Sequence, residues 1–246
     1  VRIMTEDPDP PYERPPLSKE YLRGTTEDVA LHPAGWFDER SIELHRGTVT
    51  ELDVTDHAVL LGGDRMAYDA LVLATGAAPR PLPVPGGERA LSLRSLTDAR
   101  RLREAATGAT TAVVIGAGFI GCEAAASLAM RGITVHLVAP DTLPQEKRLG
   151  SDAGRRIADL VTATGARYVG GASVREIGSH SVLRDEDRSI EADLVLAATG
   201  VAPNSALAEA AGLRVENSLI VVDELMRTSA DDVYAAGDIA LAHNAD

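Results

Sequence analysis

Six consecutive residues, Gly116-Ala117-Gly118-Phe119-Ile120-Gly121, carry the plainest chemistry in the chain. They follow the apolar run Val113-Val114-Ile115 and open a stretch of small residues. In such a series the first glycine permits a tight turn off a strand. The second lets backbone approach a pyrophosphate, and the third lets helix and strand pack closely. The free N–H groups at the helix start then face the phosphates. Gly116, Gly118, Ile120 and Gly121 are therefore candidate dinucleotide-binding residues. A glycine-rich packing turn is the plain alternative, and the strand before and helix behind the turn weigh against it.

The same fingerprint asks for a carboxylate at the end of the next strand, to hold the adenosine ribose. That strand, 134–139, ends instead in Ala139. Asp141 stands two positions on as a substitute acid, and Lys147 and Arg148 follow as partners for a 2′-phosphate. NAD and NADP both remain open, with solvated loop charges as the simplest reading of all three side chains. The one cysteine, Cys122, excludes an internal disulfide, a CxxC redox pair and a thiolate zinc site. The six histidines, at 32, 45, 57, 136, 180 and 243, show no HxH or HxxxH spacing, and no metal is expected.

The chain has 246 residues, which at about 150 per domain suggests one large or two modest domains. It is 45% hydrophobic and 25% charged, a composition that supports a packed core. A net charge of −13 argues against nucleic acid as the main partner, because binding phosphate backbones needs a positive surface. No apolar run is long enough for a membrane span, and no leader is visible, so the expected location is cytoplasmic.

Positioning these groups requires alternating strands and helices. Residues 1–5 read as a strand. Five prolines between Pro8 and Pro16 then force a loop that is neither helix nor strand. The runs 42–45, 48–53, 58–61 and 66–68, broken by Gly47, Gly62 and Gly63, suggest an antiparallel meander. Residues 69–75 (DALVLAT) read as a continuous apolar strand of the kind buried on both faces. Helix 95–106, strand 111–115, helix 118–131, strand 134–139, helix 151–164 and strand 192–198 then alternate as in a doubly wound α/β fold. A last short strand, 233–235, runs into Gly237 and Asp238, with no further element expected before Asp246. The words LVLATG at 71–76 and LVLAATG at 194–200 are near repeats, as two copies of one nucleotide-binding fold would produce.

Five segments occur in order along the chain: PYERPPLSK at 11–19, LVLATGAAPRPLPVPG at 71–86, GAGFIGCE at 116–123, ATGVAPN at 198–204 and TSADDVYAAGD at 228–238. Together they resemble the FAD-dependent pyridine nucleotide-disulfide oxidoreductases of ferredoxin-reductase type. The resemblance implies an α/β fold of two doubly wound, Rossmann-like nucleotide-binding domains with small antiparallel meanders. A discontinuous FAD-binding domain is expected at 1–94 and 222–246, and an NAD(P)-binding domain at 95–221. It implies FAD and NAD(P)H as cofactors, with a hydride passing from the nicotinamide to the flavin. Single electrons then pass to a ferredoxin or rubredoxin-type iron–sulfur protein. It also implies a further strand–GxGxxG–helix unit of about 30 residues before Val1, and a third domain after Asp246.

Residue by residue, the resemblance gives Lys19 a place beside the flavin, where its ammonium stabilises negative charge on the reduced ring. It gives Glu123 a place as that lysine's partner, facing the flavin and seating the nicotinamide. These two are the candidate catalytic residues. A solvated lysine, and a carboxylate favoured by the dipole of the first helical turn, are their structural alternatives. The FAD candidates are Glu6 on the ribose, Arg14 and Pro15 along the flavin, Val49 at the adenine, Thr75 and Gly76 by backbone, and Arg94. Asp238 completes them, toward the ribityl chain or pyrophosphate. For Val49, core packing is an equally good account. Gly200 lies toward the nicotinamide. The basic residues Arg100, Arg101 and Arg103 share one predicted helix, as a solvated face or as a docking patch for an acidic ferredoxin.

Three rivals stand beside this reading. A disulfide reductase needs a redox cysteine pair that one cysteine cannot form. A flavin-free NAD(P) dehydrogenase needs only one dinucleotide motif. A non-catalytic nucleotide-sensing module needs no flavin chemistry at all.

Overall fold

The computed structural model describes residues 1–242, so His243 and the end of the 222–246 segment lie outside the described residues. The chain divides into two compact units. One comprises Val1–Pro10, His32–Ala78 and Val201–Asp246. The other comprises Pro11–Leu31 and Pro79–Gly200. By packing, then, residues 11–31 and 79–94 go with the glycine-turn unit, and 201–221 with the other. The reason for the first is apolar contact: Leu17, Tyr21, Leu22 and Val29 share a buried cluster with Leu102 and Leu128.

The unit with the glycine turn is built on a four-stranded parallel sheet, ordered Arg167–Val169, Thr134–Val138, Thr111–Ile115, Leu194–Ala197. The first strand in the chain lies inside the sheet, with later strands added on both sides, as in the doubly wound order. Alternation along the strands sorts the side chains onto two faces. Ala112, Val114, Leu194 and Leu196 pack with the helices Leu96–Gly108 and Phe119–Met130. Val113, Ile115 and Val195 face an antiparallel meander of Val174–Ile177, Ser181–Arg184 and Arg188–Glu191. That meander occupies the layer where a second set of helices would otherwise lie.

Helix Leu96–Gly108 starts at a capping box in which Ser95 and Asp98 satisfy each other's backbone N–H groups. Helix Phe119–Met130 buries Gly121, Cys122, Ala124, Ala125, Ser127 and Leu128, small residues that let it lie close to its neighbours. Helix Glu146–Thr162 is interrupted at Gly150, whose φ of 83° breaks the regular path just before the expected start at 151.

In the other unit, the meander is Val49–Asp53, Ala58–Leu61 and Asp64–Ala67. The run expected as its first strand is not part of it: Glu43–Arg46 pairs in parallel with Arg2–Thr5. Leu71–Leu73 pairs in parallel with Val233–Ala235. A further strand, Ala240–Ala242, follows where no element was expected, and pairs with Leu219–Val222. Leu52, Val59, Leu73, Ile220, Val233 and Ile239 form this unit's core. The two LVLA(A)TG words occupy equivalent places. Each strand follows a three-stranded meander, and each runs to a glycine of positive φ, Gly76 at 61° and Gly200 at 101°.

The proline-rich loop also departs from expectation. Pro15 and Pro16 begin a 3-10 turn, Pro15–Ser18, because proline is tolerated at the first helical positions, where its missing N–H has no partner to lose. The short helix Glu20–Arg23 follows directly.

Candidate functional site

Gly116, leaving strand Thr111–Ile115, has a φ of 103°, and a Cβ there would overlap the carbonyl of Ala198. Gly121 lies within the helix, where a Cβ would overlap the carbonyl oxygen of Gly116. The two glycines are therefore steric necessities of the strand–turn–helix join. Gly118 differs. It is the helix N-cap, and the nearest atom to a Cβ built on it would be the Gln145 side-chain amide nitrogen at 3.7 Å. Steric fit does not demand glycine there, so the space in front of its backbone is left for something else. Ile120, on the same first turn, is 37% exposed. This cradle fits a dinucleotide pyrophosphate.

Glu123 sits one turn further into the helix than the sequence pattern implied. The helix begins at Phe119, and its first turn holds no acid. The helix-dipole account of Glu123 therefore weakens, since that effect fades beyond the first turn. Two donors account for it instead. Lys19 Nζ lies 2.9 Å from Glu123 Oε2, and the Ser18 hydroxyl donates to the same oxygen at 2.5 Å. The Lys19 and Glu123 side chains are 34% and 35% exposed, so the pair is reachable yet partly shielded from water.

Sequence reading missed Ser18 and Ser127. Both are buried, and the Ser127 hydroxyl donates to the Ser18 carbonyl at 2.7 Å. Arg131 donates to the Leu22 carbonyl at 2.9 Å. Glu123 and Ser127 of helix Phe119–Met130, and Arg131 at its C-cap, thus hold the Lys19 segment, and Lys19 joins the 3-10 turn to the short helix after it. A serine next to a candidate lysine, and another four residues after a candidate glutamate, were the only available signals.

Cys122 lies beside Glu123 but is buried, and burial, reinforced by the Glu123 charge, pushes its thiol up to about 11. A thiol so protonated is a poor nucleophile. Among the described residues, no group of three His, Cys, Asp or Glu could hold a metal ion.

Arg14 donates to the Arg94 carbonyl at 3.1 Å, which joins two of the FAD candidates within the glycine-turn unit. Pro15, beside Arg14, is exposed. In the other unit, Glu6 ends strand Arg2–Thr5 and accepts a long bond of 3.4 Å from the Thr48 hydroxyl. Val49 is half-buried against that unit's core. Thr75 and Asn204 clasp each other: the Thr75 hydroxyl donates to the Asn204 carbonyl at 3.0 Å, and the Asn204 amide donates to the Thr75 carbonyl at 2.8 Å. The Asn204 N–H also donates to the Gly76 carbonyl at 2.9 Å, fixing both expected glycine-strand residues. Asp238 is exposed, on the one-turn 3-10 helix Gly237–Ile239.

Past strand Thr134–Val138, Ala139 is buried. Lys147 Nζ lies 2.6 Å from an Asp141 carboxylate oxygen, and Arg148 lies over the Phe119 ring. The basic patch on helix Leu96–Gly108 is smaller than its sequence pattern. Arg100 and Arg101 are exposed, but Arg103 forms a two-pronged pair with Glu27 and lies over the Tyr21 ring.

The sequence profile of the pyridine nucleotide-disulphide oxidoreductase family matches residues 1–246. Rhodocoxin reductase of Rhodococcus erythropolis is 37% identical over 98% of this chain, and the match spans 58% of that protein. The nitrite reductase [NAD(P)H] of Bacillus subtilis is 34% identical over 98% of the chain, which spans 31% of that protein. A ferredoxin reductase from Rhodopseudomonas palustris superposes with a TM-score of 0.93 at 32% identity, over 98% of this chain and 62% of that one. The reductase in a covalent putidaredoxin reductase–putidaredoxin complex gives the same score at 33% identity, over 99% and 62%. The chain thus spans between about a third and three fifths of the curated relatives it matches. With a glycine cradle of dinucleotide form and this extent of likeness, the chain belongs to the pyridine nucleotide-disulphide oxidoreductase family, among members of ferredoxin-reductase type.

Proposed function

We propose that the protein is an FAD-dependent NAD(P)H oxidoreductase that passes electrons to a ferredoxin or rubredoxin-type iron–sulfur protein in the cytoplasm. The observation that carries this reading is the convergence of Lys19 and Ser18 on Glu123, one turn along the helix that the glycine cradle opens. The names of rhodocoxin reductase and of the putidaredoxin complex support the class of partner. No helix among the described residues is long and apolar enough to cross a membrane.

When bound, FAD and NAD(P)H supply the hydride and electron chemistry, while the protein contributes orientation, electrostatics and exclusion of water. We assign FAD binding to segments 1–94 and 222–246, through Glu6, Arg14, Pro15, Lys19, Val49, Thr75, Gly76, Arg94 and Asp238. NAD(P) binding is assigned to 95–221, through Gly116, Gly118, Ile120, Gly121, Glu123 and Gly200. With FAD bound, Lys19 would supply a positive charge to answer the negative charge of the reduced ring. Glu123 and Ser18 keep that ammonium from swinging into solvent. Cys122, buried and protonated, takes no part in electron transfer.

The test is anaerobic mixing of the full-length protein with NADH or NADPH while flavin absorbance is followed, then addition of ferredoxin or rubredoxin. Bleaching, followed by reduction of one acceptor, is the expected result. A protein that purifies without flavin and does not take it up sinks the reading.

A further inference from the structure

We infer that the layer between the parallel sheet and the antiparallel meander holds a site for a tetrahedral dianion, either inorganic phosphate or the phosphate of a small monoester, formed by His136, Arg167 and Arg184. The sheet contributes two of the three. His136 is the middle residue of strand Thr134–Val138, and Arg167 is its direct partner at the start of Arg167–Val169. Val138 and Val169, two positions on in each strand, pack into the buried cluster that faces the meander. Side chains alternate along a strand, so His136 and Arg167 lie on that same face. The meander contributes the third. Val182 is buried in the same cluster, and Arg184 follows it by two along Ser181–Arg184. Arg188 stands directly across from Arg184 on the next strand, and like charges so placed repel.

Toward the sheet interior this layer is dry: Val113, the partner of His136 on the neighbouring strand, is fully buried. Toward the edge strand it turns basic. His136 and Arg184 are half-buried and Arg167 is exposed, so this corner of the layer opens to water. Burial, and then the charges of Arg167 and Arg184, hold the His136 ring below the usual histidine range. Among the described residues, neither Arg167 nor Arg184 has a carboxylate partner. The acids of the adjoining turn are engaged elsewhere: Asp185 accepts from the Ser173 N–H at 2.7 Å, and Asp187 lies 3.5 Å from Arg175. In a chain of net charge −13, three basic groups gathered without an acid form a repulsive arrangement that a bound anion relieves. Arginine's planar fork suits phosphate oxygens, and an imidazolium beside them is favoured over the neutral ring. Anion binding and protonation of His136 are therefore coupled, each promoting the other.

The test is NMR of the full-length protein with isotope-labelled histidine, the His136 signal being assigned by its loss in His136→Gln. The ring is titrated with pH in potassium sulfate and in potassium chloride of equal ionic strength. Sulfate stays a dianion throughout, so only protein groups change charge. Saturating sulfate is expected to raise the His136 pKa by about one unit over chloride, which means about tenfold tighter binding to the protonated ring. Arg184→Gln is expected to raise that pKa in chloride, by removing a like charge, and to diminish the response to sulfate. Inorganic phosphate and glycerol phosphate are each expected to displace the sulfate, and their order of potency separates the free ion from the ester. A His136 titration that is the same in sulfate and chloride overturns the inference with no variant needed. So does a sulfate response that survives Arg167→Gln and Arg184→Gln together. The readout is the His136 ring, so either outcome leaves the dinucleotide reading of the glycine turn where it stands.

Discussion

Lys19 shares one carboxylate oxygen of Glu123 with the Ser18 hydroxyl, so its position is set by two buried serines and a helix and not by its own long, flexible stem. An ammonium fixed before the reaction need not be reorganised during it, which is where such groups contribute most. Lys19→Met in the full-length protein keeps the stem's packing and removes the charge. It is expected to slow flavin reduction by about 10²–10³-fold while FAD stays bound. Stopped-flow reduction at the wild-type rate would remove Lys19 from the mechanism. Gly121 gives a different kind of prediction. An alanine methyl would meet the Gly116 carbonyl, which belongs to backbone and has little room to move. Gly121→Ala is expected to cost about 1–3 kcal/mol of stability by overpacking and to abolish ADP-ribose binding. Urea unfolding and calorimetry check the two halves of that statement separately.

Elements were legible where one local rule governs them. Strand Thr111–Ile115 and helix Leu96–Gly108 showed their period and their cap. The glycine turn declared itself because each glycine answers to a separate steric demand. Glu43–Arg46 was misassigned because its partner, Arg2–Thr5, is about 40 positions away in sequence, and only pairing distinguishes a parallel strand from the first arm of a meander. Ser18 was passed over because a serine's role depends on what lies across from it, here a helix more than a hundred residues on. Asp193 was missed for the same reason. At the start of strand Leu194–Ala197, its carboxylate accepts bonds from the N–H and hydroxyl of both Thr110 and Thr111. It thereby ties that strand to Thr111–Ile115. The four bonds, led by the Thr110 N–H, hold the Asp193 carboxyl well below the usual carboxylate range. A depressed folded pKa gives stability that is fully present above the unfolded value near 3.8 and fades as pH falls through the folded one. The stability gap between wild type and Asp193→Asn should therefore be constant from neutral pH to about 5 and shrink below about 4. Urea midpoints measured across that range check it. A gap that does not change with pH would mean the carboxylate's charge is irrelevant to the tie.

At the scale of the whole molecule, the chain places one spectroscopic reporter and one chemical reporter in different units. Trp36, the sole tryptophan, stacks on His32 with centroids 3.6 Å apart and lies in the unit that contains His32–Ala78. Cys122, the sole cysteine, is buried in the unit with the glycine cradle. The buried cluster that holds Cys122 shares no residue with the buried core of the other unit. A ligand that binds only the folded form stabilises it by about 2.7 kcal/mol at a hundred times its dissociation constant. If the cradle takes the dinucleotide, that stabilisation belongs first to the Cys122 unit. Saturating ADP-ribose should raise the urea concentration at which Cys122 becomes reactive to a thiol reagent, and leave the Trp36 emission transition where it was. Equal movement of both transitions would show that the two cores unfold as one cooperative block. Movement of Trp36 alone would place the nucleotide in the wrong unit, and with it the roles given to Gly116, Gly118 and Gly121.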